Sequence, residues 1–88
     1  MPITVRIAPQ KMTRVDYEEM MRELEQRGSG DPEGRLSLDS YGDDAVHFEE
    51  TWQTREQFER HHQDRLAVMQ AAGVDAGIVD ISELRGRV

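Results

Sequence analysis

The segment "FERHHQDRLAVM", from Phe58 to Met69, holds the residues best suited to chemistry. His61, His62 and Arg65 fall within little more than one helical turn. Histidine exchanges a proton near neutral pH, and a guanidinium holds an enolate or phenolate. Together they are a pattern for moving a proton on a small molecule whose charge the arginine stabilises.

The use of these residues depends on where a helix points them. At 100° per residue, with Phe58 at zero, Met69 lies at about +20°, Arg65 at about −20°, His62 at about +40° and His61 at about −60°. Leu66 and Val68 flank the stripe. Glu56, Gln63, Ala67 and Gln70 fall away from it. The polar trio therefore shares the apolar stripe and points toward the protein interior or its rim.

A carboxylate is expected at the same place. "AVHFEETW" alternates as a strand, with Val46, Phe48, Glu50 and Trp52 on one face and Ala45, His47, Glu49 and Thr51 on the other. Glu50 is the one acidic group among apolar neighbours, so it needs a charge partner. Three arrangements satisfy the pattern. Glu50 and Arg65 form a partly buried ion pair with the histidines capping the core edge. Alternatively, all four line a small polar pocket. In the third, the polar side chains reach out to water.

A metal site is not expected. Adjacent His61 and His62 diverge by about 100°, and His47 lies on the opposite sheet face by parity. The chain has no cysteine, which excludes zinc–thiolate sites, thiol nucleophiles and a disulfide scaffold. "GSGDPEG" has no following lysine to make a phosphate loop, and the serines have no nucleophile motif around them. No cofactor is called for.

The elements that position these residues can be read in order. "ITVRIA" alternates as a strand that Pro9 should end. "KMTRVDYEEMMRELEQRG" is a helix, with Thr13 as N-cap, Asp16 reaching back to it, Met12 and Tyr17 as a hydrophobic staple, and Gly28 past the end. Tyr17, Met20, Met21 and Leu24 make its apolar stripe. "RLSLDSY" and "AVHFEETW", joined by "GDD", make a hairpin. Thr54 caps the second helix, with Gln57 at the capping-box position, and Gly73 stops it near Ala72. "AGIVDISEL" is the last strand and "RGRV" a tail.

The order strand–helix–strand–strand–helix–strand predicts one α+β domain, 1–88, with the ferredoxin-like split βαβ arrangement. Right-handed crossovers put both helices on one face of a four-stranded antiparallel sheet. Val5, Leu36, Leu38, Val46, Phe48, Glu50 and Trp52 should face the helices. Thr4, Arg6, Ser37, Tyr41, His47 and Thr51 should face outward. A bare sheet face on an 88-residue chain calls for a partner, and a homodimer through that face is the expectation.

The net charge is −7. With no basic stripe, the chain is expected not to bind nucleic acid. No apolar run reaches the ~20 residues that cross a bilayer, and the N-terminus lacks a signal-peptide pattern, so the expected location is cytoplasmic with no membrane contact.

The stretch "EETWQTREQFERH" resembles the Glu-x-Trp-x-Ser/Thr-x-Glu-x-Leu/Phe-x-x-His segment of the antibiotic biosynthesis monooxygenase-like proteins, through Glu50, Trp52, Thr54, Glu56, Phe58 and His61. "QDRLAVMQAAGV" is similar to a small actinobacterial-type branch of them. The resemblance implies a dimeric α+β barrel with a small cavity between sheet and helices. It implies a cofactor-independent monooxygenase, cyclase or isomerase acting on an aromatic or polyketide-like molecule. His61 or His62 would be the acid/base, Arg65 would bind the enolate or phenolate, and Glu50 would orient the histidine. Trp52, Phe58, Met21, Tyr17 and Met69 would form the pocket walls. The family's cofactor-free oxygenases use an asparagine near the substrate, and this chain contains none. The alternative is a non-catalytic dimeric binding or structural module with the same core filled by side chains.

Overall fold

Strand alternation and helix caps lay the chain out as the sequence implies. A computed structural model describes residues 1–83. Leu84 and the "RGRV" tail lie outside the described residues. The elements are β1 (Ile3–Gln10), α1 (Arg14–Gln26), β2 (Arg35–Tyr41), β3 (His47–Trp52), α2 (Arg55–Ala71) and β4 (Asp75–Glu83). The four strands form one antiparallel sheet in the order β2-β3-β1-β4. Both helices cover one face, and Ile3, Val5, Ile7, Phe48, Trp52, Tyr17, Met20, Leu24, Phe58, Val68 and Met69 are buried between the layers.

The helix termini follow their local chemistry. The Thr13 hydroxyl accepts the Asp16 N–H at 3.1 Å, and the Asp16 carboxylate accepts the Thr13 N–H at 3.1 Å, a complete capping box. At the far end Ser29 N–H donates to Leu24 C=O and Gly28 N–H to Glu25 C=O, with Gly28 at φ +80°. This is a Schellman motif, and it fixes the position of Ser29. In α2 the Thr54 hydroxyl accepts the Gln57 N–H at 3.2 Å, but the reciprocal half of the expected box is absent. Among the described residues, the Gln57 amide oxygen is instead buried without a partner. It packs against Gly34, where a Cβ would collide with it.

Two strand expectations are corrected. Pro9 does not end β1, which continues to Gln10. The pairing with β4 shifts between Ala8 and Gln10, and Pro9, with no N–H to donate, sits in that irregularity. Leu36 does not face the helices; it is 56% exposed. Arg35 pairs with Trp52 and Ser37 with Thr51, so β2 spends two residues where β3 spends one. The extra residue is Leu36, and this bulge breaks the alternation. Arg35, Leu38 and Ser40 therefore share the inner face with Trp52, Glu50 and Phe48.

The outer face is ordered in rows by the register. Ser37, Thr51, Thr4 and Ser82 form a hydroxyl row, and Asp39, Glu49, Arg6 and Asp80 a charged row. Tyr41 stacks on His47 with centroids 5.3 Å apart, and Ile78 is 73% exposed nearby.

Candidate functional site

Glu50 is the centre of the inner polar cluster, with no exposed surface. Arg65 from α2 grips it with both ends of its guanidinium, Nη1 to Oε2 at 2.8 Å and Nη2 to Oε1 at 3.0 Å. Arg35 donates to Oε2 at 3.1 Å, and the Trp52 indole N–H donates to Oε1 at 3.1 Å. Arg35 also holds the Gly30 carbonyl at 3.0 Å, and the Arg65 guanidinium lies 5.0 Å from the centre of the Phe48 ring. Burial opposes the charge on Glu50, but the bonds and field of Arg65, with Trp52 and Arg35, outweigh it and leave its pKa below the usual value. The carboxylate is therefore ionised at neutral pH, faced by two guanidiniums, and the cluster carries a surplus positive charge.

The two histidines occupy different surroundings. His62 Nδ1 lies 3.3 Å from Arg65 Nε and 3.1 Å from Arg65 Nη2. Its ring stacks on Phe58 at 5.1 Å and 20°. An arginine only donates, so Nδ1 accepts and the proton of the neutral ring sits on Nε2. His61 is buried, 5.5 Å from the Trp52 ring. Its Nδ1 lies 3.0 Å from Ser29 Oγ, and Ser29 Oγ donates to Asp64 Oδ2 at 3.5 Å. The Ser29 hydroxyl has one proton for two partners: given to Asp64, it leaves His61 Nδ1–H as donor to Ser29 Oγ; given to His61 Nδ1, it leaves the imidazole proton on Nε2. Among the described residues, His61 Nε2 is buried with no hydrogen-bond partner. Burial, then the charge of Arg65, pushes both imidazoles down to a pKa of about 4, so both are neutral bases at pH 7.

The structure brings Glu50, Arg65, His61, His62, Trp52 and Phe58 together. Glu50 bonds Arg65, Arg35 and Trp52, while the histidines meet Arg65 and Ser29. Tyr17 packs on Phe48, with centroids at 5.5 Å, and Arg14 lies 5.2 Å from its ring centre. Burial raises the Tyr17 pKa, against a hydrogen bond to Ser40 that lowers it. Met21 is half-buried at the edge of the core. Met69 stands apart, buried two turns further along α2 against a different cleft. Sequence reading missed Arg35, Ser29 and Asp64. Gly28 at C′ would have located Ser29 as the residue that closes the Schellman motif. No signal in the alternation revealed Arg35, because the bulge reverses it.

Open space lies around the cluster rather than inside it. Ser29, Gln57, His61 and Asp64 border a cleft of about 190 Å³ at the edge of the polar core. A second, of about 260 Å³, separates α1 from the end of α2. A third, of about 490 Å³, is a hollow of the outer sheet face beside Tyr41 and His47. Among the described residues, no group of three or more His, Asp or Glu could hold a metal ion. Nor is any helix among them long and apolar enough to cross a membrane.

A four-stranded sheet under two helices, with an arginine–carboxylate cluster between the layers, defines a ferredoxin-like α+β protein with a charged core. No family model and no curated protein matches the chain. Solved structures do. The protein YJCS superposes with a TM-score of 0.66 at 14% identity, over 97% of this chain and 100% of its own. An antibiotic biosynthesis monooxygenase-like protein from Deinococcus radiodurans gives 0.63 at 10% identity, over 100% and 96%. SnoaB, a cofactor-independent oxygenase from Streptomyces nogalater, gives 0.60 at 9% identity, over 99% and 94%. At these identities the likeness is one of architecture, and the chain has the fold of the antibiotic biosynthesis monooxygenase-like proteins.

Proposed function

We propose that the protein binds a small aromatic or polyketide-like molecule at the edge of the polar core and takes a proton from it. The observation that carries this reading is His61 Nε2, buried with no hydrogen-bond partner among the described residues, next to a cluster in which two guanidiniums share one carboxylate. The base takes the proton from an acidic C–H or O–H. The enolate or phenolate left behind is held by the surplus positive charge of Arg35 and Arg65. His62, through its Nε2–H, is a further donor to that oxygen. The step needs the His61 proton on Nδ1, the tautomer in which Ser29 Oγ accepts from His61 and gives its own proton to Asp64. Trp52 lies behind His61 and Phe58 behind His62, inside the core, while Pro32 and Gln57 border the cleft itself. Addition of dioxygen to the enolate carbon and return of the proton give a hydroperoxide, which loses water to leave a carbonyl, the substrate itself supplying the electrons, a monooxygenase-like reaction; return of the proton at another carbon is an isomerisation. The fold shared with SnoaB supports the first.

Anthrone and a hydroxynaphthoquinone, titrated near pH 7, test the reading by absorbance. The expected result is the spectrum of the bound anion in the native protein and its loss in both His61→Gln and Arg35→Gln. If neither compound binds, or both bind as neutral molecules, the proposal fails.

A second reading is favoured by a specific observation: Glu50, Arg65 and Trp52 are enclosed and satisfy one another completely, which is what a filled structural core would show. The same titration separates the two.

The protein is further proposed to be a homodimer through the outer sheet face. A two-fold axis parallel to the strands sets Glu49 of one copy over Arg6 of the other, and Tyr41 over Ile78. Sedimentation at micromolar concentration is expected to show a species twice the 10.1 kDa chain mass. A species of one chain mass would refute it.

A further inference from the structure

The cleft between α1 and the last turns of α2 is separate from the imidazole cluster. Met69 is eight residues beyond His61, about 12 Å along the helix. Its floor is Met12, Met20, Val68 and Met69, with exposures of 0%, 3%, 5% and 1%. Thioether side chains are polarizable and adapt to the shape of an apolar guest. Backbone bonds hold the floor in place: Val46 N–H donates to Met12 C=O at 2.7 Å, and Arg14 N–H to Asp43 C=O at 2.7 Å.

The rim is negative from two directions. Asp16, Glu19 and Glu23 follow one another along α1 at the mouth. Asp16 is engaged by the Thr13 backbone, and Glu23 by Arg27 at 3.2 Å. Glu19 makes no ion pair or side-chain hydrogen bond among the described residues and is exposed at the rim. From the other side, Ala71 and Ala72 present the C-terminal end of α2, and the last turn of that helix has no basic residue. The carbonyls of a helix C-terminus carry partial negative charge and favour a cation. Arg27, the one cation at the mouth among the described residues, is already bound to Glu23.

We infer that this cleft is a binding site for a small organic ammonium, an apolar ring or chain of about ten heavy atoms carrying a primary amine. The volume of about 260 Å³ sets the size, since a water takes roughly 30 Å³ of liquid. The methionine floor takes the apolar body, and Glu19 with the carbonyl end of α2 takes the charge. A primary ammonium is chosen because its three N–H groups can donate to carboxylate and carbonyl oxygens together, which a quaternary ammonium cannot do.

Methionine-methyl NMR tests this directly, because three of the five methionines line the floor and Met1 and Met21 serve as controls. Phenethylammonium at pH 7 is expected to shift the methyl signals of Met12, Met20 and Met69 and leave Met1 and Met21 in place. Phenethyl alcohol, phenylacetate and phenethyl-trimethylammonium are expected to bind at least 10-fold more weakly. Glu19→Gln should weaken phenethylammonium several-fold while preserving the native spectrum. Ala72→Phe, which narrows the mouth from an exposed position, should abolish the shifts. Equal affinity for the alcohol, no effect of Glu19→Gln, or shifts confined to Met21 would overturn the inference. None of these readouts depends on His61, so the result stands apart from the reading of the polar core.

Discussion

The two halves of α2 lie over the same sheet and solve opposite problems. From Phe58 to Arg65 the inward positions are one phenyl ring, two imidazoles and a guanidinium, with polar partners reaching in from β3 and the turn after α1. From Val68 to Ala72 the inward positions are apolar, and the local charges stand at the rim of a cleft. Under the first half Arg65 meets Glu50 of β3 and Arg35 of β2 with little free space between them. The second half borders free space of about 260 Å³, across which α1 presents the exposed acid Glu19. Buried charge and the larger free space are thus placed at different ends of one helix, and substitutions at the two ends should separate their effects.

The largest effect is expected at Glu50. Glu50→Ala leaves Arg65 and Arg35 facing each other without their shared carboxylate, the former with 1% side-chain exposure and the latter with 9%. Breaking a buried pair in this way costs about 3–5 kcal/mol. Denaturant unfolding should register it, and a loss below about 1 kcal/mol would mean that water reaches the cluster. Trp52→Ala is expected to cost about 3–5 kcal/mol as well, through the cavity beside Phe58 and His61. A small loss there would place the indole at the surface.

Acid should affect the polar half first. The His61 pKa is about 4 in the folded chain against an ordinary value of 6.5. Above pH 6.5 both states are neutral and burial of the ring costs no charge. As pH falls from 6.5 to 4 the unfolded chain takes up a proton that the folded one refuses, so stability declines across that window. The decline is on the order of 3 kcal/mol for His61, and His62 adds to it in the same direction. Glu50, with its pKa lowered, loses its contribution at still lower pH. Measurement of unfolding free energy between pH 7 and 4 checks this. In His61→Gln the slope should flatten, and an unchanged slope would assign the decline to other groups.

Much of this was legible in the sequence, and the limits have physical causes. Caps and periodicity located α1 and α2 to within a residue or two, because Thr13, Thr54, Gly28 and Gly73 act through local bonds. The stripe calculation placed His61, His62 and Arg65 inward, because a helix is a rigid ruler. Parity placed Glu50 with them. What escaped was long-range. Ser29 meets His61 across 32 positions. His62 rather than His61 meets Arg65, because the choice depends on how far the helix is rotated over the sheet. Met69 shares the stripe but not the site, since 100° periodicity gives direction around the axis and not position along it.

The smallest expected effect is the sharpest test of the charge surplus. A regular strand from Arg35 to Tyr41 would bury Leu36 and turn Arg35 outward, leaving Glu50 balanced by Arg65 alone. The bulge does the reverse, with Leu36 56% exposed and Arg35 bonded to Glu50 at 3.1 Å. Leu36→Ser should therefore change stability by no more than about 0.5 kcal/mol, the range for an ordinary surface position. Leu38→Ser, on the half-buried inner side, should cost clearly more. Both are to be measured at two protein concentrations, because a loss that grows on dilution reports a dimer contact and a constant loss reports the fold. A constant loss above about 2 kcal/mol at Leu36 would restore the regular register. It would also remove Arg35 from the core, and with it the extra positive charge on which anion binding at His61 rests.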